Sequence, residues 1–149
     1  MARKNITFEV PGQPKSKGRA RSTKAGHHYT PRATTVYETA IEWSASLAIN
    51  AWKLDGGYTL RDPIPWLGFM RVTIMANIEI PKSWSKAKHL LAIDGLTVRP
   101  GKPDLDNYLK IVLDALNGVV YKDDAQVQQV SGLKRYSANP CMIITVEEL

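Results

Sequence analysis

Between Met70 and Ile80 the chain alternates with a period of two. Met70, Val72, Ile74, Ala76, Ile78 and Ile80 fall on one side, and Arg71, Thr73, Asn77 and Glu79 on the other. Successive strand side chains point to opposite faces, so this run reads as a long strand with one face on a core and one partly wet. Pro81 ends it. Such a strand cannot bury its apolar face alone, so other elements must supply a second layer.

The rest of the sequence offers those elements. Ile6, Phe8 and Val10 alternate with Thr7 and Glu9 up to Pro11-Gly12, a second strand signal. Thr35 and Glu38 have the spacing of a capping box, and Tyr37, Ile41, Ala45, Ala48 and Trp52 recur at helical intervals. A helix is therefore expected over about 36–52, stopped by Asp55-Gly56-Gly57 and followed by loop to Pro63-Ile64-Pro65. Ser83 is placed to cap a short helix through Lys88–Leu91, and 95–103, with two prolines and two glycines, is loop. Leu105, Leu109, Val112, Leu113 and Leu116 predict a helix over 104–117, with Gly118 just past its end. Val119–Tyr121 and Gln126–Val130 read as short extended pieces, and Met142–Val146 as the last strand. Strands separated by helices predict an α+β fold, a two-layer α/β sandwich with a mixed sheet and flanking helices. At 149 residues one domain is expected to span 1–149.

Composition removes several classes of protein. A hydrophobic share of 44% and a charged share of 23% are ordinary for a globular chain and unlike a disordered or fibrous one. No apolar run approaches the roughly 18–20 residues of a membrane span, so no membrane association is expected. The first residues hold no apolar segment of signal-peptide length. A single cysteine, Cys141, permits no intramolecular disulfide and no cysteine zinc cluster, which suits a reduced, cytoplasmic setting. His27, His28 and His89 lack zinc-binding spacing, and no phosphate-cradling glycine motif supports a nucleotide cofactor. Trp43, Trp52, Trp66 and Trp84 are expected in the core or at an interface rather than as base-stacking platforms.

The charge is unevenly placed. Residues 1–35 carry Arg3, Lys4, Lys15, Lys17, Arg19, Arg21, Lys24 and Arg32 against Glu9 alone, whereas the whole chain carries only +6. The loop 13–33, basic at nearly every second position from Lys15 to Arg21, suggests a polyanionic partner. Between Asp104 and Asp124 stand five aspartates with Lys110 and Lys122. Asp104 and Asp106 lie two apart at the expected mouth of a helix, whose dipole favours ionised carboxylates. Asp106, Lys110 and Asp114 follow at intervals of four and share a helix face, and Asp123-Asp124 come after a short turn. If these carboxylates converge, a divalent cation is the simplest neutraliser. Magnesium favours such oxygen ligands and activates water for phosphodiester cleavage.

The segment 102–126 resembles the signature of the RusA-type Holliday-junction resolvases, small endonucleases found largely in phages and prophages. The matching residues are Lys102-Pro103-Asp104-Leu105-Asp106-Asn107, Lys110, Asp114-Ala115-Leu116-Asn117-Gly118 and Lys122-Asp123-Asp124-Ala125-Gln126-Val127. Pro14-Lys15-Ser16-Lys17-Gly18-Arg19-Ala20-Arg21 is similar to that family's basic segment after its first strand. The resemblance implies a homodimeric, magnesium-dependent nuclease, with manganese substituting, that resolves four-way DNA junctions by symmetric paired nicks. It implies metal-ligand or catalytic roles for Asp104, Asp106 and Asp124, with Asp123 a further candidate ligand, and a catalytic Lys110. Tyr108 stands where an aliphatic residue is expected, and the stretch around Asp55–Pro65 does not align.

The functional expectation is a structure-selective endodeoxyribonuclease. Lys15, Lys17, Arg19, Arg21, Lys24 and Arg32 would contact phosphates. Asp114, two turns or more from Asp104, is expected to be structural, and Lys110 could pair with either Asp106 or Asp114. Two alternatives use the same residues: a different metal-dependent phosphoryl or nucleotidyl transferase, and a non-catalytic branched-DNA-binding module whose acid cluster holds a structural cation.

Overall fold

The computed structural model describes residues 4–57 and 63–149. The alternating residues of 5–10 form β1 (Asn5–Pro11), with Ile6, Phe8 and Val10 buried. Two short strands, β2 (Arg21–Ser22) and β3 (His28–Tyr29), pair as a hairpin within the basic loop. Helix α1 (Arg32–Trp52) follows, then a turn of π-helix at Lys53–Gly57. The alternation that begins at Met70 is β4 (Met70–Glu79). Then come α2 (Lys86–Asp94), α3 (Leu105–Leu116), a 3-10 turn at Asp124–Gln126, β5 (Val127–Ser137) and β6 (Cys141–Glu148).

Four strands make one mixed sheet in the order β1-β6-β4-β5. β6 is antiparallel to both β1 and β4, whereas β4 and β5 run parallel. Val72, Ile74 and Ala76 of β4 and Met142, Ile144 and Val146 of β6 form the floor of the core. Tyr37, Ile41, Ala45 and Ile49 of α1 and Ile111, Val112 and Ala115 of α3 pack on it. The other face of the sheet carries cross-strand polar rows, with Arg71 donating to Gln129 at 2.9 Å and to Glu147 at 3.3 Å. One covered face and one wet face is the two-layer α+β sandwich expected from the sequence.

Several boundaries differ from expectation. Helix α1 begins at Arg32, after Pro31, because Pro31 O accepts from the N–H groups of Thr34 and Thr35 and the Glu38 carboxylate is engaged by Lys17. No capping box forms, and the basic loop ends in the helix's first turn. The short helix is capped by Ser85 rather than Ser83, its hydroxyl accepting from Lys88 N at 3.2 Å. β5 runs on to Ser137, well past Val130, because β4 offers a full-length parallel partner. Gly118 follows α3 with φ +76°, a left-handed conformation that glycine adopts without a Cβ penalty. Trp52 and Trp66 meet edge to face in the core at 5.3 Å, whereas Trp43 is 70% exposed. The loop expected over 58–62 lies outside the described residues.

Candidate nucleic-acid interface and acidic site

The mouth of α3 is fixed from below. Leu105 lies over Gly132 of β5, where a Cβ would come within 3.1 Å of Leu105 Cδ1. Lys134 Nζ donates to the carbonyls of Gly101 and Pro103, which pins the approach loop to the same strand. Asp104 occupies the N-cap with extended backbone (φ −71°, ψ 153°), yet its carboxylate makes no cap bond. Its Oδ2 instead accepts from Lys102 Nζ at 2.7 Å. That ammonium holds the exposed Asp104 carboxyl below the usual aspartate range. Asp106 sits one residue inside the helix, its Oδ1 accepting from Asn107 N at 3.0 Å.

One turn further on, exposed Lys110 donates to Asp114 Oδ1 at 3.1 Å. The other oxygen of Asp114 takes Lys17 Nζ at 3.1 Å, and Lys17 also pairs with Glu38 of α1. Burial works against the charge on Lys17, but these two carboxylates outweigh it and hold its pKa above the ordinary lysine value. The backbone follows the side chain, with Lys17 N donating to Asn107 O at 3.0 Å. The basic arm is therefore laid across α3. Between them lies a cleft of ≈ 600 Å³ whose lining includes Lys15, Arg19 and Arg21 from the arm and Pro103 and Tyr108 from the α3 side.

Of the six basic residues expected to meet DNA, Lys15, Arg19, Arg21, Lys24 and Arg32 are exposed. Lys17 departs from them, its ammonium shared by two carboxylates, because its place in the chain falls between α1 and α3. Tyr108 is buried and fills the core position of an aliphatic side chain.

Asp123 caps the 3-10 turn, accepting from Ala125 N at 2.8 Å, while Gln126 Oε1 accepts from Asp123 N at 3.0 Å. Gln126 Nε2 then donates to Trp66 O at 2.9 Å and Gly68 O at 2.8 Å, which anchors the turn to the segment that precedes β4. Asp124, Asp114 and Asp123 all bear on buried Tyr121, and with burial as the main cause they push its hydroxyl well above the ordinary tyrosine range.

The acidic residues therefore form three neighbouring groups: Asp104 and Asp106 at the mouth of α3, Asp114 between two lysines, and Asp123-Asp124 beside Tyr121. Among the described residues no three carboxylate, imidazole or thiol groups lie close enough to hold an ion together. The convergence expected from the sequence is not assembled within one chain, because α3 starts over Gly132, in the middle of β5, whereas Asp124 precedes that strand. The donor chemistry still suits magnesium, which takes one or two carboxylates and fills its remaining positions with water and substrate phosphate. Asp104 fits that role because it stands at a cap position without capping. The sequence does not place Glu38 in this region, and it gives Gln126 no role beyond its place in the acid segment. Glu38 was masked by its capping-box spacing, whereas the Asp123–Gln126 spacing is itself a capping-box signal.

The region is thus a mixed sheet that carries a helix with carboxylates at its mouth and a basic arm laid across it. The chain belongs to the RusA endodeoxyribonuclease family: that family's model, Endodeoxyribonuclease RusA, matches residues 11–147. It is also similar to a Bacillus subtilis (strain 168) protein described as uncharacterized protein YqaN. The two are 33% identical over 147 residues, which cover 97% of this chain and 96% of the relative. Among the described residues no helix is long and apolar enough to cross a membrane.

Proposed function

We propose that this endodeoxyribonuclease resolves four-way DNA junctions as a homodimer, cutting two strands symmetrically with magnesium, or with manganese in its place, in the cytoplasm of a bacterial or phage-infected cell. The observation that carries this reading is the docking of the basic arm on α3 through Lys17, which sets the arm's exposed basic side chains beside the acidic mouth. Lys15, Arg19, Arg21, Lys24 and Arg32 hold DNA phosphates and supply affinity without reading sequence. Asp104 and Asp106 at the mouth of α3 would hold the metal, and Asp124, in a separate group within this chain, would complete the ligand set, with Asp123 occupied in its own turn. A bound magnesium supplies an activated water and polarises the phosphoryl oxygen. Lys110 presents its ammonium to the charge that builds on the phosphate, and Asp114 keeps that ammonium in place.

The test is a nicking assay on an end-labelled four-way junction and a matching linear duplex, with Mg²⁺ or EDTA, beside Asp106→Asn. Paired symmetric nicks on the junction alone, lost with EDTA and in the variant, are expected. Junction binding without nicks under Mg²⁺ or Mn²⁺ would replace this reading with a binding module.

A further inference from the structure

Helix α1 has a second apolar face. Its buried side, Thr34, Tyr37, Ile41, Ala45, Ile49 and Trp52, rests on the sheet. On the opposite side Val36, half-buried Ala40, Trp43, Leu47 and Asn50 recur at intervals of four, three, four and three, and Leu54 follows in the π-helical turn that continues the helix. That is the spacing of a helix-pairing seam with one polar position. Val36 is 59% exposed, Trp43 70%, Leu47 57% and Leu54 86%. A monomer gains nothing by holding a tryptophan and two leucines in water along one line of a helix, and such a patch marks an interaction surface.

We propose that this seam is where a second copy of the chain docks, with the two α1 helices antiparallel across a twofold axis. The inference rests on the homodimer of the function proposed above and assigns its surface. A twofold interface must be self-complementary, and the seam is: centred on position 45, it sets Trp43 against Leu47 of the second copy, Ala40 against Asn50, and Val36 against Leu54. Large meets medium and small meets polar, whereas a parallel pair would oppose Trp43 to Trp43 and Asn50 to Asn50. Antiparallel pairing also opposes the helix dipoles and brings exposed Arg32 of one copy near exposed Asp55 of the other. The exposed seam side chains of both copies together offer on the order of 1,000 Å² for burial, which reaches the size of a specific interface.

The geometry has a functional consequence. The seam points directly away from the sheet, so the docked copies stack helix layer on helix layer. The twofold axis then lies in the interface and across the helices, which keeps both α3 helices on the same side of the α1 pair. Two Lys110 side chains and two basic arms therefore open onto one groove, as paired cutting of a branched substrate requires.

Sedimentation velocity on the wild type, Trp43→Lys and Leu47→Lys tests the surface, alongside oxidation of Ala40→Cys/Asn50→Cys and of Ala40→Cys alone. The wild type is expected to be a dimer, and each lysine variant to raise the dimer dissociation constant by at least about a hundredfold. Both lysine variants keep the wild-type circular dichroism because the replaced side chains lie outside the core. The double cysteine variant cross-links and the single one does not, since antiparallel pairing sets position 40 against position 50. Should a lysine variant misfold, the cross-linking result decides. A wild-type dimer that survives both lysine substitutions without cross-linking overturns this surface and leaves the homodimer reading standing. A wild type that stays monomeric with and without junction DNA overturns both.

Discussion

Lys17 Nζ lies 3.1 Å from Asp114 Oδ2 in a pair whose side chains are only 25% and 22% exposed. The basic arm is thus tied to the helix that carries Lys110, and Asp114 serves both ammonium groups. Asp114→Asn keeps the shape and removes the charge that both lysines face. It is expected to cost about 1–2 kcal/mol of stability by thermal unfolding. Cleavage should fall roughly tenfold to a hundredfold through misplacement of Lys110, with junction binding less affected. The pKa of Lys17 is raised, so its contribution is whole below the ordinary lysine value and fades only as pH climbs through the higher folded one. Stability should therefore lose nothing through this pair between about pH 6 and pH 9.

Asp104 should titrate below an ordinary aspartate, because the Lys102 ammonium bonded to it favours the ionised form. A carbon-13 NMR titration of the metal-free chain reads this directly. In Lys102→Ala the midpoint should move up toward the ordinary aspartate range. A depressed folded pKa favours the folded state above the unfolded value, and the benefit disappears as pH falls through the folded one. The carboxylate is exposed, so the shift should appear in its titration and not in the melting temperature. Identical midpoints in the two proteins would remove Lys102 as the cause.

Gln126 is the clamp of the Asp123-Asp124 turn, with its amide nitrogen on two carbonyls and its oxygen on Asp123 N. Gln126→Glu should be as harmful as Gln126→Ala, because a carboxylate cannot donate to Trp66 O or Gly68 O. Each should lower stability by about 1–3 kcal/mol, or roughly 5 °C in melting temperature, and depress cleavage as Asp124 loses its seat.

Gly132→Ala drives a methyl into Leu105, whose branched end lies 3.1–3.3 Å from the added carbon. Overpacking of this kind costs about 1–3 kcal/mol. Trimming the neighbour in Gly132→Ala/Leu105→Val should recover part of that loss, a non-additivity expected of residues in contact. Equal and additive effects in the thermal melts would show that α3 is not seated on this glycine.

How far the sequence could be read follows from where each element packs. β4 and α3 were legible because each buries one regular face, and the observed Met70–Glu79 and Leu105–Leu116 lie within a residue of the expected spans. β5 was legible only in its first third. It is an edge strand, with exposed Val130 and Leu133 among glutamine, serine and lysine, so no burial imposes an alternation on its sequence. The helix start at Arg32 was hidden behind the Thr35 and Glu38 spacing, since a partner twenty-one positions away decides what Glu38 does. The same holds at the site. The residue types of the acid segment and the basic arm stand in the sequence, but their mutual placement depends on Gly132 beneath Leu105, Gln126 on Trp66 and Gly68, and Lys17 between Glu38 and Asp114. Each of these is a contact between distant parts of the chain.

The strand order β1-β6-β4-β5 puts β6, which follows the other three strands in sequence, in the interior of the sheet. On the ribosome, β1 has no neighbour and β4 lacks one of its two partners until residues 141–148 emerge. The arm, α1 and α3 are all synthesised before the surface that seats them exists. A chain in which β6 has not yet paired therefore carries the acidic and basic segments without the scaffold that sets them side by side.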